Sequence, residues 1–477
     1  MTPLQIVHEG GQPLVEQIVE QFVTQIQNKS LRPGARLPSI RGFAAEYGVS
    51  KFTVVEAYDR LVAQGFVASR RGAGFFVASR PEPKLELRRE QPLARVFDSL
   101  WLLRTDALAL DNNILKVGCG WLPSDWMPEA ELEKALRDLA RRQKARLTCY
   151  GEPFGYLPLR QQLQIRLSEL DIEAPPSQIL LTQGAMQALD LLSRYLVNEG
   201  DVVLVDAPGF FTVFANLKLH GARIVGVPRT PNGPDIVELE RLLALHKPKV
   251  FLTNSVLHNP TGSSLSPAIA FRILQLAEKY DITIVEDDIY SDFQAGPGER
   301  LAALDQLNRV IYVGSFSKTL SANMRVGFIA ASPRRIEDIC NLKLLTAIAS
   351  SEAAERVIHT MLTEGSYRKH MDRVKGRLRG AMTRVCTQLE KLGFELWLQP
   401  QDGMFVYARH PAVEDSSLMA SPALQEGVLL APGQLFCPNM VRSSWFRFNV
   451  AHCDQPAVFE YLGRMVAQAS RTGVVRV

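Results

Sequence analysis

The 477-residue sequence has no apolar run long enough to span a bilayer, which excludes a helical membrane protein. Its start, MTPLQIVHEGG, lacks the charged opening and apolar core of a secretory leader, so the expected location is cytoplasmic. Cysteine is scarce. Cys119, Cys149, Cys340, Cys386, Cys437 and Cys453 form no C-x-x-C pair, a spacing that suggests neither a disulfide framework nor a zinc site. They read as thiols of a reducing compartment, and no metal is expected. Internal repeats and low-complexity tracts are missing too. A net charge of only +4 gives no global polyanion signal. What is present is an ordinary globular balance, 46% hydrophobic and 22% charged, enough for a large core. The length exceeds one ordinary domain.

The charge is unevenly placed. Between Lys29 and Arg80 nine Lys/Arg stand against Glu46, Glu56 and Asp59, a local net charge of +6 that leaves the rest slightly acidic. A compact basic segment on a near-neutral body points to a polyanion partner for that segment alone. Leu14, Ile18, Phe22 and Ile26 recur every four residues and predict an amphipathic helix. RPGARLPS breaks that pattern. Ser39 is placed to cap a short helix, IRGFAAEYG, that stops at Gly48. Ser50 is placed to cap KFTVVEAYDRLVAQG, which stops at Gly65. FVASR and FFVAS across Arg71-Gly72-Ala73-Gly74 predict a hairpin. The order is that of a winged helix-turn-helix, assigned to 11–80. Residues 81–112, rich in proline and charge at first, read as a linker.

The first turn of the third helix presents Ser50, Lys51, Phe52 and Thr53, the turn that enters the major groove in helix-turn-helix proteins. Arg41 opens the preceding helix, and Arg70 and Arg71 lie at the wing tip beside Gly72. The stretch LPSIRGFAAEYGVSKFTVVEAYDRLVAQGFVASRRGAGFFV resembles the GntR-type winged helix through LPS-x-R, GVS-x-x-TV, AY-x-x-L and G-x-G-x-FV. That resemblance implies contacts to double-stranded DNA from Arg41, Ser50, Lys51, Thr53 and Gly72. Phe52 departs from the family, which commonly has a polar or basic residue there. It either packs on a thymine methyl or faces a neighbour.

From about residue 113 strand-like and helical segments alternate. QILLT, DVVLVDAP, RIVGVP, KVFLTN, TIVEDD, RVIYVGS and VGFIAA predict a mostly parallel sheet covered by helices, an α/β fold. Chemistry-bearing residues fall at the strand ends, where such sheets bind ligands. SFSKTLSANMRVG offers Lys318, with Ser315 and Ser317 before it and Arg325 after it. VEDDIYSDF offers Asp287 and Tyr290, HNPTG offers Asn259, and DAPGFFTV offers Phe210. In LLTQGAMQALDL a glycine turn at Gly184 precedes a helix whose first amides, at Ala185 and Met186, are a ready phosphate site. A reactive lysine, an acid, ring-hydroxyl donors, a phosphate cradle and a stacking aromatic are the parts that pyridoxal 5′-phosphate (PLP) demands. Gly118-Cys119-Gly120 and Gly72-Ala73-Gly74 open no dinucleotide-binding unit and read as turns.

This part, 113–460, resembles the fold-type-I aminotransferases. The resemblance implies that Lys318 bonds the cofactor aldehyde and Asp287 pairs with its pyridine nitrogen. It assigns the ring oxygen to Asn259 and Tyr290, and the phosphate to Ser315, Ser317, Arg325 and the amides of Ala185 and Met186. YGEPFGYLPLR matches the segment whose tyrosine, here Tyr150, reaches the neighbouring subunit's phosphate. FRFNVAH matches the segment whose arginine, here Arg447, grips an α-carboxylate. Ala185 and Met186 replace hydroxyl or amide side chains common in that family, so phosphate binding is expected to lean on backbone and Arg325. The last part, from about 350, predicts a smaller α+β subdomain with strands MFVYAR and WFRFNV. The whole chain, with 113–477 as the second domain, resembles the MocR-type regulators. Membership implies a homodimer, commonly head to tail, whose large domain senses PLP or a small amine or amino acid and thereby regulates transcription. The alternative expectation is an active aminotransferase carrying an accessory DNA-binding domain.

Overall fold

In the computed structural model the described residues are 4–8, 12–78, 102, 114–141, 148–296 and 298–472. The chain divides into two compact units, Met1–Gln91 and Pro92–Val477. The 81–112 linker lies outside the described residues except for Leu102, which is buried in the core of the second unit.

In the first unit α1 (Leu14–Gln27), α2 (Ile40–Tyr47) and α3 (Lys51–Ala63) precede a hairpin of β1 (Val67–Arg70) and β2 (Gly74–Val77). Ile18 and Phe22 of α1, Phe43 of α2, and Val54, Ala57, Tyr58 and Leu61 of α3 are completely buried together. The Tyr58 hydroxyl, too costly to bury unpaired, donates to the Pro38 carbonyl at 3.0 Å. The Ser39 and Ser50 hydroxyls accept from the backbone N–H groups of Gly42 and Thr53, capping α2 and α3. Gly48 ends α2 at φ +65°, a conformation that turns the chain sharply into α3.

The second unit is built on an eight-stranded sheet: β3 (Ile179–Thr182), β4 (Val202–Ala207), β5 (Arg223–Thr230), β6 (Gly233–Pro234), β7 (Val250–Thr253), β8 (Thr283–Asp287), β9 (Val310–Ser315) and β10 (Gly327–Ala330). Their spatial order is β3-β10-β9-β8-β7-β4-β5-β6. β5, β4, β7, β8 and β9 run parallel, and β10 lies antiparallel between β9 and β3. The inner strands are apolar on both faces because helices cover both, so every residue of β9 is buried. A second, antiparallel sheet has the order β11 (Glu395–Leu396), β12 (Phe405–Arg409), β14 (Trp445–Asn449), β13 (Ala431–Pro432). Its register places Arg447 opposite Tyr407 on one side and Ala431 on the other.

Candidate functional site

Four strand ends of the large sheet meet at one place. β8 delivers Asp287, the loop after β7 delivers Asn259, the loop after β4 delivers Phe210, and the turn after β9 delivers Lys318. Phe210, Asn259, Asp287 and Tyr290 line one small cavity. Lys318 Nζ donates to the Gly120 carbonyl at 2.9 Å.

Glu286, Asp287 and Asp288 are three consecutive buried acids with different fates. Glu286 accepts the backbone N–H groups of Leu301 and Ala302 at 2.8 Å. Asp288 is paired with Arg300 at 2.7 Å and with the Tyr312 hydroxyl at 2.8 Å. Asp287 Oδ1 is buried with no hydrogen-bond partner, as is Asp288 Oδ1, but among the described residues Asp287 has no ion pair like that of Asp288 with Arg300. Burial, then the neighbouring Asp288, raise the Asp287 carboxyl to about 7, against the pull of the Lys318 cation.

Asn259 Nδ2 donates to the Tyr290 hydroxyl at 3.3 Å, and its Oδ1 accepts from Arg447 Nη1 at 2.9 Å. Arg447 is itself buried, donates through Nη2 to the Gly118 carbonyl at 2.6 Å, and lies over the rings of Phe405 and Phe436. At the other end of the site Ser317 Oγ accepts from Ser315 Oγ at 3.2 Å and from Arg325 Nη1 at 3.3 Å. Arg325 Nη2 donates to the Gln183 carbonyl, and a Cβ on Gly184 would fall 2.7 Å from it. Glycine there lets the arginine reach the start of the helix Ala185–Leu196. No side chain caps that helix, so its first amides, at Ala185 and Met186, have no side-chain partner at the N-cap.

Of the residues expected from sequence, Lys318, Asp287, Tyr290, Asn259, Phe210 and Arg447 are gathered at the strand ends, and Ser315, Ser317 and Arg325 cluster at the Gly184 turn that leads into Ala185 and Met186. Tyr150 stands apart with its side chain 77% exposed. In the first unit Arg41, Ser50, Lys51, Arg70, Arg71 and Gly72 are exposed and Thr53 is half-buried. Ser50 and Thr53 also share a hydroxyl contact of 2.8 Å, and Arg70 lies over Phe76 of its own hairpin.

Two site residues escape sequence reasoning. Asn254, at the end of β7, donates through Nδ2 to the Asp287 carbonyl at 2.6 Å and accepts the Asn259 N–H at 3.0 Å. Its own N–H rests on Asp206, which is paired with buried Arg229 at 2.8 Å. The second is Gly120. A Cβ on it would fall 3.7 Å from Arg447 Nη2 and 3.8 Å from Lys318 Nζ, between the amine and the guanidinium. Alanine would meet no clash, and its methyl would stand in van der Waals range of both groups, where it would crowd a ligand that bridged them. Gly120→Ala is expected to keep cofactor and fold and to weaken amino-acid binding at least about tenfold, the cost of about 1.4 kcal/mol of lost contact. Spectral titration of the cofactor-loaded protein, with thermal unfolding alongside, measures both.

The set fits PLP on this geometry. The short-partnered Asp287 carboxylate suits a pyridinium N–H, Asn259 and Tyr290 suit a ring oxygen, and the serines, Arg325 and the uncapped helix suit a phosphate dianion. Lys318 supplies the amine that a carbonyl cofactor requires.

Residues 109–464 match the model of the family "aminotransferase class I and II", and residues 14–77 match that of the bacterial regulatory proteins of the gntR family. The chain belongs to the class I and II aminotransferase family, with a gntR-family regulatory region ahead of that domain. It is similar to the uncharacterised HTH-type transcriptional regulator YdfD of Bacillus subtilis, 28% identical over 96% of this chain and 98% of that protein. It is also 28% identical to the probable rhizopine catabolism regulatory protein MocR of Rhizobium meliloti, over 88% of this chain and 86% of the relative. Among solved structures, that of LysN, the α-aminoadipate aminotransferase of Thermus thermophilus complexed with N-(5′-phosphopyridoxyl)-L-leucine, superposes with a TM-score of 0.72. The two are 25% identical, over 80% of this chain and 98% of that one.

Proposed function

We propose that this protein is a PLP-dependent, DNA-binding transcription regulator of the MocR type. The observation that carries it is a winged helix and an aminotransferase domain in one polypeptide, a pairing that full-length relatives named as regulators match from end to end. Bound PLP supplies an electrophilic carbonyl and an electron-accepting ring. The chain's own residues do the rest. Lys318 presents its amine beside Asp287, Asp287 holds the charge opposite a ring nitrogen, and Asn259 and Tyr290 orient a ring oxygen. Ser315, Ser317, Arg325 and the amides of Ala185 and Met186 anchor the phosphate. Arg447 receives the carboxylate of an amino-acid effector.

In the first unit Lys51, Arg41 and the wing-tip Arg70 and Arg71 bind a double-stranded operator, with Ser50, Thr53 and Gly72 at the same surface. The protein works as a homodimer, head to tail, and exposed Tyr150 supports a site completed by the second subunit. It acts in the cytoplasm, where DNA and reduced thiols coexist; the six cysteines form no disulfide, and no described helix is long and apolar enough to cross a membrane.

Such sensing requires two states with different DNA affinity. The test is DNA binding at fixed salt, with and without PLP, and then across a panel of amines and amino acids. At least one ligand is expected to change the DNA dissociation constant about 5–150-fold, the range of ordinary coupling. No change with any of them removes the sensing role. A second reading, a working aminotransferase, is favoured by the assembled Lys318 and Arg447. Steady-state conversion of an amino acid and a keto acid at ordinary enzymatic rates would select it.

A further inference from the structure

Phe52 occupies the second position of α3 and is 77% exposed. Three residues on, Val55 is 36% exposed on the same side of the helix. Neither is needed for packing, because Val54, Ala57, Tyr58 and Leu61 already fill the inward stripe completely. The helix is therefore anchored by one face and shows an apolar pair on another. A large exposed aromatic at the leading turn of a helix has unspent burial area.

The surroundings select the occupant. Lys51 precedes Phe52, Arg41 opens the neighbouring helix, and Arg70 and Arg71 lie on the hairpin. No acid occurs in the first turn of either α2 or α3. A partner must then be polyanionic and still offer an apolar group to a phenyl ring. In the DNA major groove one group meets both demands, the 5-methyl of thymine, which projects among phosphates and polar base edges. We propose that Phe52, with Val55 beside it, reads thymine methyls, and so sets sequence preference where Lys51 and the arginines set affinity. This rests on the DNA-binding reading above and adds a named base feature to it.

The probe is a random duplex pool. Full-length, PLP-loaded protein selects from it, the enriched duplex is sequenced, and each thymine is then replaced singly by deoxyuridine, which deletes the methyl and nothing else. Wild type is expected to lose about fourfold in affinity at one or two positions, the worth of a buried carbon. Phe52→Ala is expected to bind thymine and uracil duplexes equally at those positions, with the salt dependence unchanged because no phosphate contact is lost. Phe52→Gln serves as a second variant, and circular dichroism confirms the fold of both. Three results would overturn the proposal: equal binding of thymine and uracil duplexes by wild type, an equal loss on both in Phe52→Ala, or a change of oligomeric state in that variant with no loss of base discrimination. If wild type enriches no duplex at all, the DNA-binding reading falls and this inference with it.

Discussion

Lys318→Ala is expected to abolish every response of DNA binding to amines while leaving DNA binding itself in place. The lysine amine is held by the Gly120 carbonyl at 2.9 Å, close enough to Asp287 to pull its carboxyl towards the charged form. Without it the cofactor has no covalent anchor in the chain and is retained only by its phosphate and ring contacts. An arriving amine then has no bond to displace. The measured ratio of DNA dissociation constants, with and without effector, should fall from its wild-type value to one, and the absorbance band of the lysine-linked cofactor should be gone. The first unit has its own buried core, so its fold does not depend on this change. Lys318→Ala protein that kept both the band and the response would remove Lys318 from the mechanism.

Asp287→Asn is expected to make the cofactor-free protein more stable and the cofactor bind worse. The sign follows from the raised carboxyl. Folded, Asp287 titrates near 7; unfolded, it titrates near the ordinary 3.8. Between those values the folded state holds a proton that the unfolded state has released. Stability from this group is therefore fully present below about pH 4 and is lost as pH rises through 7. The asparagine variant has no charge to bury. Its stability advantage should be near zero at pH 4 and grow to on the order of a few kcal/mol above pH 7. Glu286 is also raised, but it is unchanged in the variant and cancels in the difference. With cofactor the order reverses. Removing one member of a buried charge pair costs about 2–5 kcal/mol, so affinity should drop by roughly thirtyfold or more. Chemical denaturation of both proteins at pH 4, 6 and 8, with and without PLP, separates the two effects. A variant no more stable than wild type at pH 8 would show that Asp287 is not a stored cost.

Much of the fold was legible because its strands are strongly apolar and long enough to show. TIVEDD and RVIYVGS sit between helices as β8 and β9, and both caps of the winged helix fall on the serines that their spacing marks. β6, β11 and β13 have two residues each, too few to carry any period, and went unseen. At the site, rare residue types at strand ends gave themselves away: the lysine of SFSK, the asparagine of HNPTG, the acid of VEDD. Gly120 did not, because what matters there is the absence of a side chain between two groups far away in sequence. Gly118-Cys119-Gly120 does lie in a turn, closed by the Cys119 N–H to the Lys116 carbonyl at 3.2 Å. Asn254 was hidden for another reason: its contacts exist only once β7 and β8 lie side by side.

That asparagine also decides what an incoming ligand can disturb. Arg447 holds Asn259, Asn259 is tied through its own N–H to Asn254, and Asn254 holds the backbone of Asp287. Three hydrogen bonds thus join the Arg447 guanidinium to the backbone of Asp287. A ligand carboxylate that drew Arg447 away from Asn259 would loosen one end of a line whose other end is Asp287. In an enzyme such a line keeps reacting groups in register. In a receptor the same line would carry the arrival of a ligand at Arg447 to the backbone of Asp287.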